Sequence, residues 1–486
     1  MTSIDGPVGD RLHDLTALEL GAAIAAGDVG AQEVSAHFAD RVERLGSELG
    51  AVVTPTTEQA RARAAEIAQG GSAGRGPLHG VPTAIKDLHA TAGVETSFGS
   101  PAFAGTVPDH SDEVVLRLER AGLPSLGKTS TPEVGLPCYT EPEGQPPAVT
   151  PYDTTRMAGG SSGGAAAAVA AGLVPVALGS DGGGSIRIPA SCCGLVGFKP
   201  SRGRVTSAPM RGDGSSLAAI GPLARTVRDA AAFLDVIAGP ALGDPSWAPA
   251  PAVSFLEACE ELERRPRRLR IARFATPVVA QTEVHPDCLH AYDDLTQVLE
   301  QLGHEVVEID APLGADAVAT FETVWAVGAA SVLTLVPEDR RHLLRPLTRW
   351  LAERGQAVSG VEYSQAVSGV RTHAAAAITA LDPFDAVLTP TLSQPPLPVG
   401  AIRDDADPEA DFEAQKRFTP WTSLWNVCGL PAVSLPVHRT DAGLPVGAML
   451  AGRPADDAGL FALAGRVEQA YANDGQVWKD VHPPCW

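Results

Sequence analysis

Two clusters of glycine and serine lie close together in the chain and have residue types that could carry chemistry. The first is Gly-Gly-Ser-Ser-Gly-Gly at 159–164, and the second is Asp-Gly-Gly-Gly-Ser-Ile-Arg at 181–187. Only glycine lets the main chain come very close to a ligand, so both clusters can present converging backbone N–H groups. Such a nest of donors suits an oxyanion or a phosphate.

The two glycine clusters do not match the sequence patterns of nucleotide-binding loops. One of them does match the pattern of the nucleophile elbow, the sharp turn that carries the catalytic serine of α/β-hydrolases. No lysine follows the glycines as in a P-loop, and no third glycine follows Gly182 and Gly184 as in a dinucleotide-binding loop. The segment 159–163 matches Gly-x-Ser-x-Gly, which in the α/β-hydrolases would make Ser161 the nucleophile. The histidines that could then serve as its base are His373, His438 and His482.

A lysine base is the other way to activate a serine in this chain. A hydroxyl is a weak nucleophile until a base removes its proton, and a lysine can do so when burial keeps it neutral. The chain has five lysines, of which Lys86, Lys128 and Lys199 lie in the front half. A second serine can relay the proton between lysine and nucleophile, so a serine–serine–lysine system is a further hypothesis.

The elements around both clusters alternate between helix and strand. Apolar residues at helical spacing predict helices over 15–26, 31–45, 58–69, 111–121, 227–237, 285–302, 321–333 and 458–469. Short apolar runs predict strands over 81–85, 123–127, 269–273, 306–309, 386–390, 432–436 and 446–451. The run 165–178 predicts a buried helix followed by a strand. This alternation predicts an α/β protein whose sheet is covered by helices.

Length, charge and cysteine content limit the possible partners. At 486 residues the chain exceeds the roughly 250–300 residues of a usual single core, and the proline-rich segment 240–251 could divide it. The net charge of −21 would repel nucleic acid and anionic membranes. Residues 1–10 lack a signal-peptide pattern, and no apolar run is long enough to span a bilayer, so we expect a cytoplasmic protein. Seven cysteines without zinc spacing predict buried free thiols, among them Cys192 and Cys193.

The segment 159–204 resembles the signature region of the amidase signature family. That pattern has a GGSSGG box, an alanine-rich helix, a D-x-GGSIR-x-P box and a CG-x-x-G-x-KP box. The counterparts here are GGSSGG at 159–164, DGGGSIRIP at 181–189 and CGLVGFKP at 193–200. The resemblance also includes GVPTAIKD at 80–87, LGKTSTPE at 126–133, WNVCGLPA at 425–432 and the segment 443–452. It covers about 15–471, nearly the whole chain.

The resemblance implies a fold and a domain plan. The fold is the amidase signature fold, a large mixed β-sheet covered by helices on both faces. The plan is a single amidase domain over 1–486, with N-terminal helices at 10–70 and a signature core at 77–238. The C-terminal half at 266–475 would complete the sheet and the pocket.

The resemblance also assigns roles by position. Ser185 falls on the nucleophile, Ser161 on the serine that relays the proton after a cis peptide with Gly160, and Lys86 on the base. The N–H groups expected to form the oxyanion hole are those of Gly182, Gly183, Gly184 and Ser185. The residues expected to support the site are Ser162, Asp181 and Arg187. Lys128 and Lys199 are expected to be structural. The implied reaction forms an acyl-enzyme on Ser185 without a metal or an organic cofactor.

The residues that differ from the family pattern are expected near the substrate entrance, so they affect which substrate is bound. Leu88, Met157, Ala158 and the proline-rich loop 138–150 differ from the usual residues near the expected substrate entrance. The expected pocket residues are mostly apolar or aromatic: Leu136, Cys138, Tyr139, Gly160, Phe321, Trp325, Trp421 and Trp425. We therefore predict a hydrolase of neutral hydrophobic or aryl amides, with esters and carbamates (urethanes) as related substrates.

Two other functions stay open, together with the assembly state. One is the glutaminase component of a tRNA-dependent amidotransferase, although TPEVG at 131–135 is similar to the stand-alone amidase version of its motif. The other is a non-catalytic binding protein on the same scaffold. A small-molecule substrate is the expected partner, and the chain is expected to be a monomer or a homodimer.

Overall fold

A mixed β-sheet of eleven strands forms the centre of the computed structural model, which describes residues 8–70, 75–210, 215–475, 478, 481–484 and 486. Its strands are β1 (Val52–Pro55), β2 (Thr83–Lys86), β3 (Ser125–Thr129), β6 (Val176–Asp181), β7 (Val196–Lys199), β8 (Ala219–Ala224), β9 (Arg270–Arg273), β10 (Glu305–Glu308), β11 (Ala386–Pro390), β12 (Ala432–Arg439) and β13 (Pro445–Gly452). Two short strands, β4 (Val149–Thr150) and β5 (Asp153–Met157), form a separate antiparallel pair.

The sheet joins both halves of the chain. Its strand order is β1-β3-β2-β6-β8-β7-β12-β13-β11-β9-β10. Strand β2 runs parallel to β3 and β6, whereas β8 is antiparallel to β6 and β7. Strand β7 then pairs with β12, so hydrogen bonds connect strands from either side of the proline-rich segment 240–251. That segment therefore does not separate two sheets.

Helices lie along the sheet and connect its strands. They are α1 (Ala17–Ala26), α2 (Ala31–Leu45), α3 (Thr57–Gly70), α4 (Glu113–Ala121), α5 (Gly163–Ala170), α6 (Arg187–Cys192), α7 (Val227–Ile237), α8 (Phe255–Ala258), α9 (Glu261–Arg264), α10 (Pro286–Gln301), α11 (Ala315–Val332), α12 (Pro346–Gln356), α13 (Gly360–Leu381), α14 (Pro408–Phe418), α15 (Leu424–Cys428) and α16 (Asp457–Asn473). Shorter 3-10 turns occupy Val8–Asp14, Pro101–Phe103, Glu133–Gly135 and Glu338–Leu343. The predicted α/β class and the mixed sheet are confirmed.

Helix α5 shows how the sequence positions the first glycine–serine cluster. All of its residues are buried, and small side chains let it lie against β2, β3 and β6. At Gly164 a Cβ atom would lie 2.3 Å from the backbone nitrogen of Ser130, so only glycine fits there. The helix thereby brings its preceding turn, which carries Ser161, to the sheet edge where β2 and β6 end.

The observed limits of helices and strands agree best with the predicted limits where the apolar pattern of the sequence is strong. Helices α2 and α7 and strand β11 have the predicted limits. Helix α11 begins already at Ala315, before the predicted start at Phe321. Helix α13 was not predicted, because it buries only a narrow stripe of four residues, Val370, Ala374, Ala377 and Leu381, two of which are alanines. Strand β8 was also not predicted, because Gly221 and Pro222 interrupt its apolar run.

Two predictions concern cysteines and membranes. The described cysteines are free and buried, as predicted: Cys138, Cys192, Cys193, Cys259, Cys288 and Cys428. Burial raises the pKa of the Cys192 thiol well above its usual value, which keeps it protonated and unreactive. In the described part of the chain, no helix combines the length and the apolar composition that crossing a bilayer requires.

Candidate active site

Lys86 is the last residue of β2 and is fully buried at the sheet edge. Its Nζ atom lies 2.7 Å from Ser161 Oγ and donates to the carbonyl oxygen of Ser180 at 3.3 Å. Burial lowers the pKa of Lys86 to about 7, although the negative charge of Asp181 acts in the opposite direction. Above about pH 7 the amine is therefore neutral and can accept a proton from the serine.

Ser161 is held in a turn that only a small preceding residue allows. The Gly160–Ser161 peptide bond is cis, as predicted. A Cβ atom on Gly160 would lie 2.7 Å from the backbone of Tyr139. Ser162, the next residue, donates its N–H to the Ser185 carbonyl at 3.1 Å and its hydroxyl to the Ser180 carbonyl at 3.1 Å. These bonds connect the two glycine–serine clusters, and the supporting role of Ser162 in catalysis stays a prediction.

The elbow hypothesis, in which a histidine activates Ser161, is not supported by the positions of the three candidate histidines. His373 lies 3.4 Å from Thr320 Oγ1, and His438 lies 3.0 Å from Asp294 Oδ2. His482 packs against the ring of Trp486. The partner of Ser161 is instead Lys86.

Ser185 lies in the loop between β6 and α6, beside a cavity. The residue is 7% exposed, and it lines the cavity together with Gly183. No hydrogen bond joins the hydroxyls of Ser161 and Ser185, both of which lie in the described part of the chain. The loop places Ser185 at a surface that a substrate can reach, while Ser161 and Lys86 lie behind it.

The buried carboxylate of Asp181 organises this loop. Its Oδ1 accepts the N–H of Gly184 at 2.7 Å, and its Oδ2 accepts the N–H of Ile186 at 3.2 Å. The predicted oxyanion role of Gly184 is therefore wrong in this geometry, because its N–H is already bonded to the carboxylate. Among the described residues, the N–H groups of Gly182, Gly183 and Ser185 have no hydrogen-bond acceptor and stay available.

Arg187 completes the support of the loop from a fully buried position. Its Nε and Nη2 atoms each donate to Asp181 at 2.9 Å. It also donates to the side chain of Asn426 at 2.7 Å and to the carbonyl oxygen of Thr422 at 2.8 Å. Burial alone would raise the pKa of Asp181, but the charge and hydrogen bonds of Arg187 outweigh it and lower that pKa. The carboxylate thus stays ionised across the working pH range.

Two supporting residues from the other half of the chain were not predicted. Asn426 donates to the Asp181 carbonyl at 2.8 Å and to its Oδ1 at 2.9 Å. Thr422 Oγ1 donates to the Gly183 carbonyl at 2.6 Å and so fixes the orientation of that peptide. The family motif at 425–432 contains Asn426, but nothing in the sequence indicates that its side chain reaches Asp181.

Replacing Arg187 with methionine is expected to destabilise the fold strongly. The change leaves the Asp181 carboxylate buried without its cation, which typically costs about 3–5 kcal/mol. The free energy of unfolding from urea denaturation measures this loss. In the matched control Arg228→Met, an exposed pair with Glu260 is removed, and less than about 1 kcal/mol should be lost. Equal losses in the two variants would contradict the bracing role of Arg187.

The cavity beside Ser185 has mainly apolar walls. Its lining residues are Leu136, Pro137, Cys138, Gly183, Ser185, Ile188, Val279, Val318, Phe321, Glu322, Trp325, Phe412, Gln415, Lys416, Thr419 and Ser423. The rings of Phe321 and Trp325 stack with their centroids 5.3 Å apart. A wider cavity of about 580 Å³ between α1, α7 and α16 contains neither Lys86 nor either serine.

Four predicted pocket residues line this cavity, and four do not. Leu136, Cys138, Phe321 and Trp325 are in its wall. Trp421 and Trp425 are instead fully buried in a hydrophobic cluster, and the Trp421 indole donates to the Thr276 carbonyl. Tyr139 is also fully buried, with its hydroxyl bonded to Asp411, and Gly160 packs against the Tyr139 backbone. These large aromatic side chains bury their apolar surface in the core and therefore cannot contact a substrate in the cavity.

The two other lysines in the first half of the chain, Lys128 and Lys199, have different surroundings. Lys128 lies 3.3 Å from the Asp87 carboxylate and donates to the His89 carbonyl and to Thr96. Lys199 donates to the Pro200 carbonyl, and burial lowers its pKa to about 7 as well. Neither lysine has a serine hydroxyl among these partners. Contact with Ser161, rather than a lowered pKa, is what distinguishes Lys86.

A comparison with known protein families identifies the family of the chain. The amidase family model matches residues 33–461. This chain belongs to the amidase signature family. Enzymes of that family hydrolyse carbon–nitrogen bonds, and the chain is a hydrolase of this class.

Individual relatives extend over almost the whole chain. An acylamidase of Rhodococcus erythropolis is 33% identical over 97% of this chain and 98% of its own length. One component of the glutamyl-tRNA(Gln) amidotransferase of Myxococcus xanthus is 34% identical over 97% and 100%. Among solved structures, 6-aminohexanoate cyclic dimer hydrolase complexed with substrate has a TM-score of 0.89 at 28% identity, covering 97% and 99%. A bacterial aryl acylamidase has a TM-score of 0.84 at 28% identity, covering 96% and 98%.

Proposed function

We propose that this amidase cleaves neutral, hydrophobic or aryl amides through an acyl-enzyme on Ser185, with Ser161 as proton relay and Lys86 as base. The observation that carries the proposal is the 2.7 Å contact between a fully buried lysine and Ser161, behind a serine that borders an apolar cavity. Esters and aryl carbamates share the same acyl-transfer step and are proposed as secondary substrates.

The proposed mechanism passes two protons between three residues. Neutral Lys86 takes the proton of Ser161, which takes that of Ser185 as Ser185 Oγ attacks the substrate carbonyl. The two hydroxyls must meet in this step, and catalytic hydrogen bonds often form fully only when substrate is bound. Ser161 then gives its proton to the leaving amine and takes one back from Lys86, which is neutral again. In the second half of the reaction Ser161 and Lys86 accept a proton from the attacking water, and a proton returns to Ser185 Oγ as its bond to the acyl group breaks.

The oxyanion of the intermediate would be stabilised by backbone donors of the Ser185 loop. The candidates are the N–H groups of Gly182, Gly183 and Ser185, because that of Gly184 is bound to Asp181. Losing one such donor typically reduces kcat by about 10²- to 10³-fold. Thr422 and Arg187 hold this loop in place before substrate arrives, so the donors need no rearrangement during the reaction.

The wall of the cavity supports an uncharged substrate. Lys416 is the cation among the lining residues, and it already pairs with Glu322 at 2.7 Å and with Glu413 at 2.5 Å. A substrate carboxylate would have to displace Glu322 or Glu413 from Lys416, and a substrate ammonium would have to displace Lys416 from these glutamates. The stacked rings of Phe321 and Trp325 instead offer an apolar surface next to Ser185. The acylamidase and aryl acylamidase relatives are consistent with this substrate class.

The glutaminase component of an amidotransferase is the second candidate, favoured by the 34% identical relative from Myxococcus xanthus. Glutamine carries a carboxylate and an ammonium group, and the apolar cavity wall with its paired Lys416 offers no obvious site for them. A substrate panel decides between the two functions. We expect turnover of anilides and hydrophobic amides, with weaker turnover of esters and aryl carbamates. Activity on glutamine alone, or co-purification with the other amidotransferase components, would support the glutaminase instead.

Activity is expected to rise with pH through about 7. Below that value Lys86 is protonated and cannot act as a base, since its pKa is about 7. The kcat/KM for an anilide should therefore fall about tenfold per pH unit below pH 7 and be level above it. Circular dichroism at each pH controls for unfolding. A kcat/KM that is constant or decreasing between about pH 5.5 and 8 would contradict the role of Lys86.

Trp325 is expected to determine the preference for aryl substrates. Removing its ring in Trp325→Ala should raise KM for an acetanilide about tenfold and leave that for acetamide nearly unchanged, because only the larger substrate reaches the ring. The control Trp247→Ala removes a tryptophan that is 60% exposed and should change neither KM. Equal effects on both amides would show that the ring supports the fold rather than the substrate.

A further inference from the structure

A second cluster of side chains lies where the start of α10 meets β12. It consists of Asp287 and His290, which are three residues apart on one face of α10, and His438 on β12. None of the three lines the cavity beside Ser185. We propose that these residues bind one divalent transition-metal ion, for which Zn²⁺ is the best suited.

The positions of the ligand atoms support this site. Asp287 Oδ1 lies 3.8 Å from His290 Nδ1 and 3.8 Å from His438 Nε2. All three ligand atoms are within 4.8 Å of one another. Bonds of about 2.0–2.1 Å in a tetrahedral zinc site place neighbouring ligand atoms about 3.3 Å apart. The two pairs that include Asp287 need a contraction of about half an ångström, and the two histidine nitrogens, which lie within 4.8 Å of each other, need at most about 1.5 Å. Rotation of the exposed His290 side chain supplies such a movement.

A further carboxylate prepares His438 for this role. Asp294, about two turns beyond Asp287 on α10, has its Oδ2 atom 3.0 Å from His438 Nδ1. A carboxylate at Nδ1 keeps the proton on that nitrogen, so Nε2 carries a free lone pair that faces Asp287. The same carboxylate–histidine arrangement orients histidine ligands in many metal sites.

The composition of the cluster selects the ion. Two imidazoles and one carboxylate match three-ligand zinc sites, and imidazole also suits copper and nickel better than magnesium or calcium. His290 is exposed and His438 is partly buried, so water can occupy the remaining position. His285 is not a further ligand in this geometry, because its Nδ1 accepts the Asp287 N–H. The sequence showed no such site, because His438 is distant from α10 in the chain.

Such an ion would tie the start of α10 to β12. The segment before α10 includes Val279, which lines the cavity beside Ser185. The His285 N–H at its end donates to the Ser393 carbonyl at 2.8 Å. The proposed role of the ion is to hold these two elements together, so a bound ion should raise the melting temperature of the chain.

Titration of the chelator-treated, tag-free protein with Co²⁺ and Zn²⁺ tests the proposal. We expect one equivalent of Co²⁺ to bind with the visible absorption of a four-coordinate site and to be displaced by Zn²⁺, which also raises the melting temperature. His438→Ala and His290→Ala should each abolish this spectrum. Asp294→Asn should weaken metal binding about 10- to 100-fold, because it removes the support of His438.

Controls separate this site from general binding to surface histidines. His110→Ala removes an exposed histidine that lies beside Asp109 and should leave binding unchanged. Circular dichroism establishes that each variant is folded. The proposal is overturned if no stoichiometric Co²⁺ binding occurs, or if His438→Ala binds as tightly as the parent protein. Because the readouts are absorption and melting temperature, the result is independent of amide turnover.

Discussion

Ser185→Ala is expected to reduce kcat for an anilide by roughly 10⁴- to 10⁶-fold, the loss seen when a serine hydrolase loses its nucleophile. The physical reason is that no other hydroxyl in the loop can form the acyl-enzyme. The same variant should lose covalent labelling by a fluorophosphonate probe, which reacts with activated serines. Turnover kinetics and mass spectrometry of the labelled protein measure both effects.

A neighbouring serine provides the matched control. Ser423 lines the same cavity, so Ser423→Ala makes the same change in the same environment. It should keep kcat within a few-fold and retain full labelling. If the parent protein is not labelled and turns over no member of the substrate panel, the proposed mechanism and substrate class are wrong. If Ser185→Ala keeps its activity, another nucleophile is at work.

Lys86→Met is expected to lower kcat by about 10²- to 10⁴-fold, the usual contribution of a general base. Methionine has a similar length but no lone pair that can take the Ser161 proton. Residual activity should also lose its dependence on pH near 7. That second readout separates Lys86 from Lys199, whose pKa is also about 7 and which stays in place in this variant.

The control for Lys86 is the lysine at the cavity wall. Burial would lower the pKa of Lys416, but bonds to Glu322 and Glu413 raise it, so its amine is charged and cannot act as a base. Lys416→Met should therefore keep kcat for a neutral anilide within a few-fold. A large loss of kcat in Lys416→Met together with a small loss in Lys86→Met would overturn the mechanism.

The fold and the positions of the proposed site residues could be predicted because they depend on short, ordered segments. Lys86 ends a strand, Ser161 precedes an alanine-rich helix, and Ser185 follows a strand, so each position is visible in the local pattern. The family resemblance then specified which serine contacts the lysine. The contact at 2.7 Å agrees with that order.

The parts that could not be predicted depend on contacts between distant segments or on bonds that a local pattern does not reveal. Which N–H groups of the Ser185 loop are free depends on the Asp181 carboxylate bonding to Gly184, and sequence alone does not show that bond. The pocket positions predicted for Trp421 and Trp425 were wrong for a similar reason. Aromatic residues suit a core and a substrate pocket equally well, and only their packing in one cluster with Phe274 and Phe384 distinguishes the two.

The support of the Ser185 loop has a consequence for how the enzyme matures. Asp181 and Arg187 come from the first half of the chain, whereas Thr422 and Asn426 come from the last quarter. A chain still emerging from the ribosome therefore contains its lysine and both serines long before the loop can be held. We therefore expect hydrolase activity to appear only after the last quarter of the chain has folded onto this loop. Until then the unfinished protein cannot attack amides or esters around it.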